Sequence, residues 1–365
     1  MTVGIPKEIK TDEFRVGMVP SGVSELVAAG HTVVVETNAG SGSGFCDEDY
    51  RNAGALIAAS ADEVYASAEM IVKVKEPVGA EYERLKEGQT LFTYLHLAAD
   101  KPLTQMLCDR RITAFAYETL RVGGRLPLLE PMSEIAGKMA SLFGAVHLGR
   151  YFGGRGELLG GALGTSRTRV VVLGAGVAGK AAADAAAALG AEVVLMDINA
   201  QRLGYLRDVM SANVTMQFST RDAISEALKT ADLVIGTVLV TGAKAPKLVT
   251  REMLSLMQKG SVLVDVSIDQ GGCFETSHPT THSHPTFEVD GIVHYCVANM
   301  PGMYPRTSTV ALTHATLPYV LKLASTPLET LLKDETMLGA LNTFEGKLTN
   351  QAVAQAHGMN YEPVR

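Results

Sequence analysis

The chain has 365 residues, 47% hydrophobic and 19% charged. That is enough for two or three domains with sizeable cores, and too apolar for a disordered protein. A formal net charge of −7 with no basic run argues against a nucleic-acid or anionic-membrane surface. The four cysteines, Cys46, Cys108, Cys273 and Cys296, are scattered without a C-x-x-C pair, which argues for free thiols in a reducing compartment rather than a disulfide frame or a zinc site.

The charged residues Lys7, Glu8, Lys10, Asp12, Glu13 and Arg15 come too early for a signal peptide. No apolar stretch reaches the ~18 residues expected of a membrane span, so a soluble cytoplasmic protein is expected. Residues 3–5 read as a strand, followed by a polar turn through Glu13, with Arg15 beside a short apolar piece at 16–19. Residues 21–29 read as a helix closed by Gly30, and the β-branched run 32–36 as a strand. Residues 39–44 are a glycine-serine loop, read as a plain connection. Asp47 caps a short helix to Ala53, and 62–68 is another helical piece. A clear alternation follows: strand 70–74, helix 80–86, strand 90–95, helix 102–110, strand 112–117. Such alternation predicts a parallel sheet with helices on its faces. Lys75, His96 and Glu118 each follow one of these strands. Any one of them reads equally well as a rim or surface residue. Their shared position at the carboxyl edge, where open α/β sheets bind ligands, favours a site.

Residues 131–150 read as a helix with Ser133 near its start, and the glycine-rich 153–164 as a loop. The most informative stretch is 170–197, VVVLGAGVAGKAAADAAAALGAEVVLMD. It reads as a strand, a G-x-G-x-x-G turn (Gly174, Gly176, Gly179), an alanine-rich helix closed by Gly190, and a second strand ending on Asp197. In a dinucleotide site Gly174 allows the tight turn, Gly176 lets a pyrophosphate approach the backbone, and Gly179 lets the helix pack on the sheet. The phosphates then meet the positive end of the helix. Asp197 falls where an acid accepts from the ribose hydroxyls and repels a 2′-phosphate, so NAD is expected rather than NADP. A lone fingerprint is a weak signal, but here strand, helix, second strand and acid all agree. The alternation resumes with strands 215–218, 232–238, 261–268 and 292–297, which place Ser219, Val238, Asp269 and Asn299 at strand ends. The tract with His278, His282 and His284 has no carboxylate or thiolate at ligand spacing, so no metal is expected there. From Thr309 the chain reads as helices, 310–323 (with Pro318 inside) and 328–338, with no strand alternation for a third domain.

These elements predict an α/β protein of two doubly wound, Rossmann-like domains separated by a cleft. Residues 1–128 and 306–365 form a discontinuous substrate domain completed by C-terminal helices, and residues 129–305 form the NAD-binding domain. Two crossings between domains suggest hinge closure over ligands.

The chain resembles the alanine dehydrogenases over nearly its whole length. The resemblance is carried by Val3-Gly4-Ile5-Pro6-Lys7-Glu8, Glu13-Phe14-Arg15-Val16, Lys73-Val74-Lys75-Glu76-Pro77, Tyr94-Leu95-His96-Leu97-Ala98, Tyr117-Glu118-Thr119 and Pro131-Met132-Ser133-Glu134. It continues in Asp232-Leu233-Val234-Ile235-Gly236, in 242–248 (GAKAPKL), in 265–273 and in 295–301. The resemblance implies reversible conversion of L-alanine, water and NAD to pyruvate, ammonium and NADH. It implies that Arg15 and Lys75 hold the substrate carboxylate and that His96 and Asp269 do the acid–base work. It also puts Ser133, Val177, Asp197, Arg202, Ser219, Val238, Leu239, Asn299 and Met300 at the cofactor, and it implies a homo-hexamer. Two alternatives stay open: a subunit like the transhydrogenase α chain, and a non-enzymatic NAD-sensing module.

Overall fold

The computed structural model describes residues 1–238 and 245–364. In chain order its strands are β1 (Thr2–Ile5), β2 (Thr32–Glu36), β3 (Leu56–Ala58), β4 (Met70–Val72), β5 (Thr90–Thr93), β6 (Thr113–Ala116), β7 (Arg169–Leu173), β8 (Glu192–Asp197), β9 (Val214–Phe218), β10 (Leu233–Gly236), β11 (Val262–Asp265), β12 (Thr286–Val289), β13 (Ile292–Tyr295), β14 (Leu341–Phe344) and β15 (Lys347–Leu348). The chain divides into two compact units, one of Met1–Met132 with Gly302–Arg365, the other Ser133–Pro301.

The first unit holds an eight-stranded sheet in the order β15-β14-β6-β5-β4-β1-β2-β3. From β3 to β6 every pairing is parallel, with registers such as Val3↔Val33 and Val3↔Met70. The strand order reverses between β1 and β4, so the crevice outside the carboxyl ends of those two strands is the expected ligand position. Arg15 lies downstream of β1 and Lys75 downstream of β4. The helix Pro305–Ser325 buries Thr309, Leu312, Thr313, Thr316 and Val320. Its Thr309 hydroxyl accepts from the Val16 N–H (3.3 Å) and pairs with the Ser43 hydroxyl (2.8 Å). The returning C-terminal chain therefore braces the loop that carries Arg15.

That return contains strands as well as helices, which corrects the sequence expectation. The helix expected at 328–338 is two short ones, Leu328–Leu331 and Glu335–Ala340, followed by the antiparallel strands β14 and β15. The two strands are joined by Glu345 and Gly346, both left-handed (φ 49° and 81°). This is the backbone of a tight hairpin, hidden because asparagine or aspartate rather than glutamate usually marks it. The edge strand β12 also went unforeseen, although Asp290-Gly291 (φ 53° and 83°) is a strong hairpin signal before β13.

The second unit has seven strands in the order β12-β13-β11-β10-β7-β8-β9. All pairings are parallel except the β12 edge. Its crossover point lies between β7 and β10, the counterpart of β1 and β4 in the first unit. Along β7, Val170 and Val172 enter one apolar core and Val171 and Leu173 the other, as the two-residue period of a doubly covered strand requires. The alanine-rich helix Val177–Ala188 packs against the helix Glu130–His147 at close range. A Cβ at Gly137 would stand 2.1 Å from the Ala178 carbonyl oxygen, and the Ser141 hydroxyl donates to the Ala182 carbonyl at 2.7 Å.

Candidate active site

In the first unit, the carboxyl edge gathers charge. Arg15 is buried and pairs in a fork with Glu13, Nε to Oε1 at 2.6 Å and Nη2 to Oε2 at 2.5 Å. Nη1 reaches the Met132 sulfur at 3.1 Å. Burial pushes the Glu13 carboxyl up, but the hydrogen bonds and charge of Arg15 outweigh it and hold Glu13 below its ordinary value, with Lys75 adding to the effect. Glu13 thus links the two cations expected to hold a carboxylate. The planar fork of Arg15 is turned onto Glu13, a partner that the residue pattern alone did not single out.

Lys75 is set by a second buried group. Glu8 Oε1 accepts from the N–H groups of Val74 (2.6 Å) and Lys75 (3.3 Å), while Glu8 Oε2 receives the Lys73 ammonium at 3.1 Å. Lys73 also donates to Glu81 at 2.6 Å, and the Tyr65 hydroxyl donates to the same carboxylate oxygen. Two carboxylates thus share one ammonium out of water, and burial pushes the Glu8 carboxyl up against the pull of Lys73. Buried ions survive only when paired and hydrogen-bonded in this way.

His96 lies past the end of β5 with φ of 51°, an uncommon left-handed backbone for a residue with a side chain. Glu118 pins it there, accepting from the His96 N–H at 2.6 Å and from the Leu95 N–H at 3.2 Å. The imidazole stacks on Tyr94 (centroids 5.9 Å, 26°) and directs Nδ1 to Glu76 at 3.3 Å. Glu76 also binds the Lys10 ammonium. Burial raises the Glu76 carboxyl, but the hydrogen bonds of His96 and Lys10 prevail and take it down to about 2. An ionised carboxylate only accepts, so Nδ1 is the donor and Nε2 becomes the acceptor nitrogen.

In the second unit the carboxyl edge is built from backbone. Gly174 has φ of 102°, and a Cβ on Gly179 would lie 1.8 Å from the Gly174 carbonyl oxygen, so neither position takes another residue without rebuilding the turn. Nothing stands within 4 Å of the place a Gly176 Cβ would occupy, which leaves room for a pyrophosphate at the start of the Val177–Ala188 helix. The turn therefore fits a dinucleotide. Asp197 ends β8 and accepts from the Ala175 N–H (2.6 Å) and the Asn199 N–H (2.8 Å). Each of its oxygens keeps a second lone pair for a ribose hydroxyl. Arg202 donates from Nε to the Ala175 carbonyl at 2.8 Å, and the Ser219 N–H donates to the Asp197 carbonyl at 2.9 Å. Gly174, Gly176, Val177, Asp197, Arg202 and Ser219 are thereby brought together.

Ser133 is half-buried in the first turns of the Glu130–His147 helix, and Met300 is buried in a core cluster of the second unit. Leu239 lies outside the described residues. Contrary to the sequence expectation, Asp269 does not end a strand. β11 ends at Asp265, and Asp269 is exposed on the short 3-10 turn Ile268–Gln270. Its Oδ2 accepts from the Asn299 N–H at 3.4 Å, which joins two of the expected site residues. Asp265, the true strand end, is fully buried and accepts from the N–H groups of Ser267, Cys273 and Phe274 and from the Ser277 hydroxyl. It shapes the loop that presents Asp269. His278, in the histidine tract, stacks on Phe287 (3.6 Å), which stacks in turn on His294 (4.9 Å).

Two family models match the chain: the alanine dehydrogenase/PNT N-terminal domain over residues 4–136 and the C-terminal domain of the same family over residues 140–351. Alanine dehydrogenase of Halomonas elongata is 54% identical over 363 residues, covering 99% of this chain and 98% of the relative. A solved L-alanine dehydrogenase superposes with a TM-score of 0.94 at 51% identity, covering 98% of this chain and 99% of that one. A transhydrogenase from Sinorhizobium meliloti follows with a TM-score of 0.84 at 26% identity, covering 95% of this chain and all of that one.

Proposed function

The chain belongs to the alanine dehydrogenase/PNT family, and from that premise we infer that it catalyses the NAD-dependent, reversible oxidative deamination of L-alanine to pyruvate and ammonium. The observation that carries this reading is the ordered charge of the first unit, where Arg15, Lys75 and His96 are each held by a buried or hydrogen-bonded carboxylate. A nucleotide-only binder has no use for such a cluster.

Residues 1–128 and 306–365 are read as the substrate domain and 129–305 as the NAD domain. Bound NAD supplies the acceptor for the hydride that leaves the alanine α-carbon. Arg15 and Lys75 neutralise the substrate carboxylate and fix the α-carbon. Loss of the hydride leaves an iminium ion on the substrate, which water must attack. His96 takes a proton from that water through Nε2, while Glu76 keeps Nδ1 protonated and the ring oriented. Asp269 stabilises the positive nitrogen, polarises the water and exchanges protons as the carbinolamine collapses to pyruvate and ammonium. Ser133, Gly174, Gly176, Val177, Gly179, Asp197, Arg202, Ser219, Val238, Leu239, Asn299 and Met300 form the cofactor contacts.

We further propose a homo-hexamer. Exposed Leu142, Val146 and Tyr151 on the second unit support burial against other copies, and a concentration-independent monomer mass in light scattering would refute it. Among the described residues no helix is long and apolar enough to cross a membrane. The four free thiols support a cytoplasmic setting. The function itself is tested by offering small amino acids one at a time as sole donor with NAD. L-Alanine should give the fastest NADH formation. NADH binding without turnover on any amino acid would instead favour a sensing module.

A further inference from the structure

Residues 245–249 begin within the GAKAPKL stretch and extend one residue past it. They run beside residues 270–274. The Ala245 N–H donates to the Gln270 carbonyl (3.0 Å), the Leu248 N–H to the Cys273 carbonyl (2.7 Å), and Val249 bridges Phe274. The Lys247 side chain closes the arrangement, its ammonium donating to the carbonyls of Gly271, Gly272 (3.0 Å) and Phe274 (3.0 Å). An ammonium has three N–H donors, and here three carbonyls receive them. The two glycine carbonyls can turn toward it because Gly271 and Gly272 are both left-handed (φ 88° and 76°). A Cβ on Gly272 would also stand 2.6 Å from the Asp265 carboxylate. The loop 266–273, which carries Asp269, is therefore held from within by a buried carboxylate and from outside by an ammonium. The Ser267 hydroxyl donates to the Val238 carbonyl at 2.8 Å, so Val238 and Ala245 are both tied to this loop.

We propose that Lys247 is a positioning residue for Asp269: by binding the Gly271, Gly272 and Phe274 carbonyls it fixes the loop that presents the Asp269 carboxylate to the substrate. The proposal rests on Asp269 serving in acid–base chemistry. Asp265 is a poor test, because removing a buried carboxylate with four donors threatens the fold. Lys247 is an exposed residue, so Lys247→Met removes the three bonds without opening the core.

The test compares K247M, K247R, D269N and the K247M/D269N double variant of the full chain by steady-state kinetics in both directions and by NADH titration. K247M should lower kcat by about 10- to 100-fold, as expected when a reacting group is misplaced by about an ångström. NADH affinity should be nearly unchanged, and K247R should recover part of the rate. In the D269N background K247M should cost nothing more, because two groups acting as one unit are not additive. Wild-type kcat in K247M, with D269N impaired, overturns the proposal alone. So does an equal further loss in the D269N background, which would make Lys247 a general structural tie. Near wild-type rates in D269N would remove the catalytic assignment of Asp269 itself, and the proposal with it.

Discussion

The two carboxyl edges share one strand order around their crossover points but hold their functional groups by opposite means. In the first unit carboxylates do the holding: Glu13 on the Arg15 guanidinium, Glu8 on the Lys75 backbone N–H, Glu76 on the His96 ring. In the second unit the backbone does the holding: a glycine turn, a helix start, and one carboxylate, Asp197, spent on two N–H groups. A small charged substrate needs fixed charges away from water, and each such charge must bring a partner. A dinucleotide needs the main chain to come close, so what counts there is where side chains are missing.

The contrast predicts a graded set of outcomes. The largest effect is expected for His96→Ala. It should lower kcat by ~10²–10⁴-fold in both directions, the usual contribution of a general acid–base group, and leave NADH binding intact. A parallel loss of NADH affinity would mean that the two edges do not divide the work in this way.

Glu13→Gln should come next. It removes the charge that faces a buried guanidinium, and breaking a buried ion pair typically destabilises by about 3–5 kcal/mol. The KM for alanine and pyruvate should rise as Arg15 loses its orientation. Urea denaturation and substrate saturation check the two halves separately, and unchanged stability would show that the pair contributes nothing.

On the second edge, Asp197→Ala should weaken NAD by about 10- to 100-fold, the equivalent of one or two charge-assisted hydrogen bonds. It should also relax discrimination against NADP. Equal relative kcat/KM values for the two cofactors before and after the change would count against the ribose assignment.

The smallest effect concerns Glu76. Its folded value of about 2 lies below the ordinary 4.5, so its stabilisation is complete above about 4.5 and disappears as pH falls toward 2. Glu76→Gln should cost about 1–2 kcal/mol at neutral pH, after allowance for the solvent around Lys10 and His96. Acid-denaturation curves of the two proteins should converge across that window. Curves that stay parallel down to pH 2 would show that the carboxylate draws no stability from its cations.

The same contrast explains what could be read from the residues alone. The second edge is local: Gly174, Gly176, Gly179 and Asp197 lie within 24 positions of one another, and a turn's need for missing side chains shows directly in the letters. Lys75 and His96 stood out as polar residues at strand ends, and Arg15 only through the resemblance to the alanine dehydrogenases. Their holders did not, because the pairing of Glu8 with Lys73 spans 65 positions and exists only once β1 and β4 lie side by side. Asp269 reads as the end of a strand because the valine-rich 261–268 reads as one strand. The buried Asp265 cuts that run short and turns the chain. The hairpin β14–β15 was missed because Glu345 takes a left-handed turn position that its chemistry does not advertise.

The central claim is that acid–base chemistry is divided between His96 on the first edge and Asp269 on the second. The most direct measurement is turnover of Asp269→Asn in both directions, with NADH affinity measured on the same preparation. The account predicts NADH binding close to wild type and kcat lowered by ~10²–10⁴-fold. Turnover near the wild-type rate would make Asp269 a structural residue of its loop and contradict the mechanism.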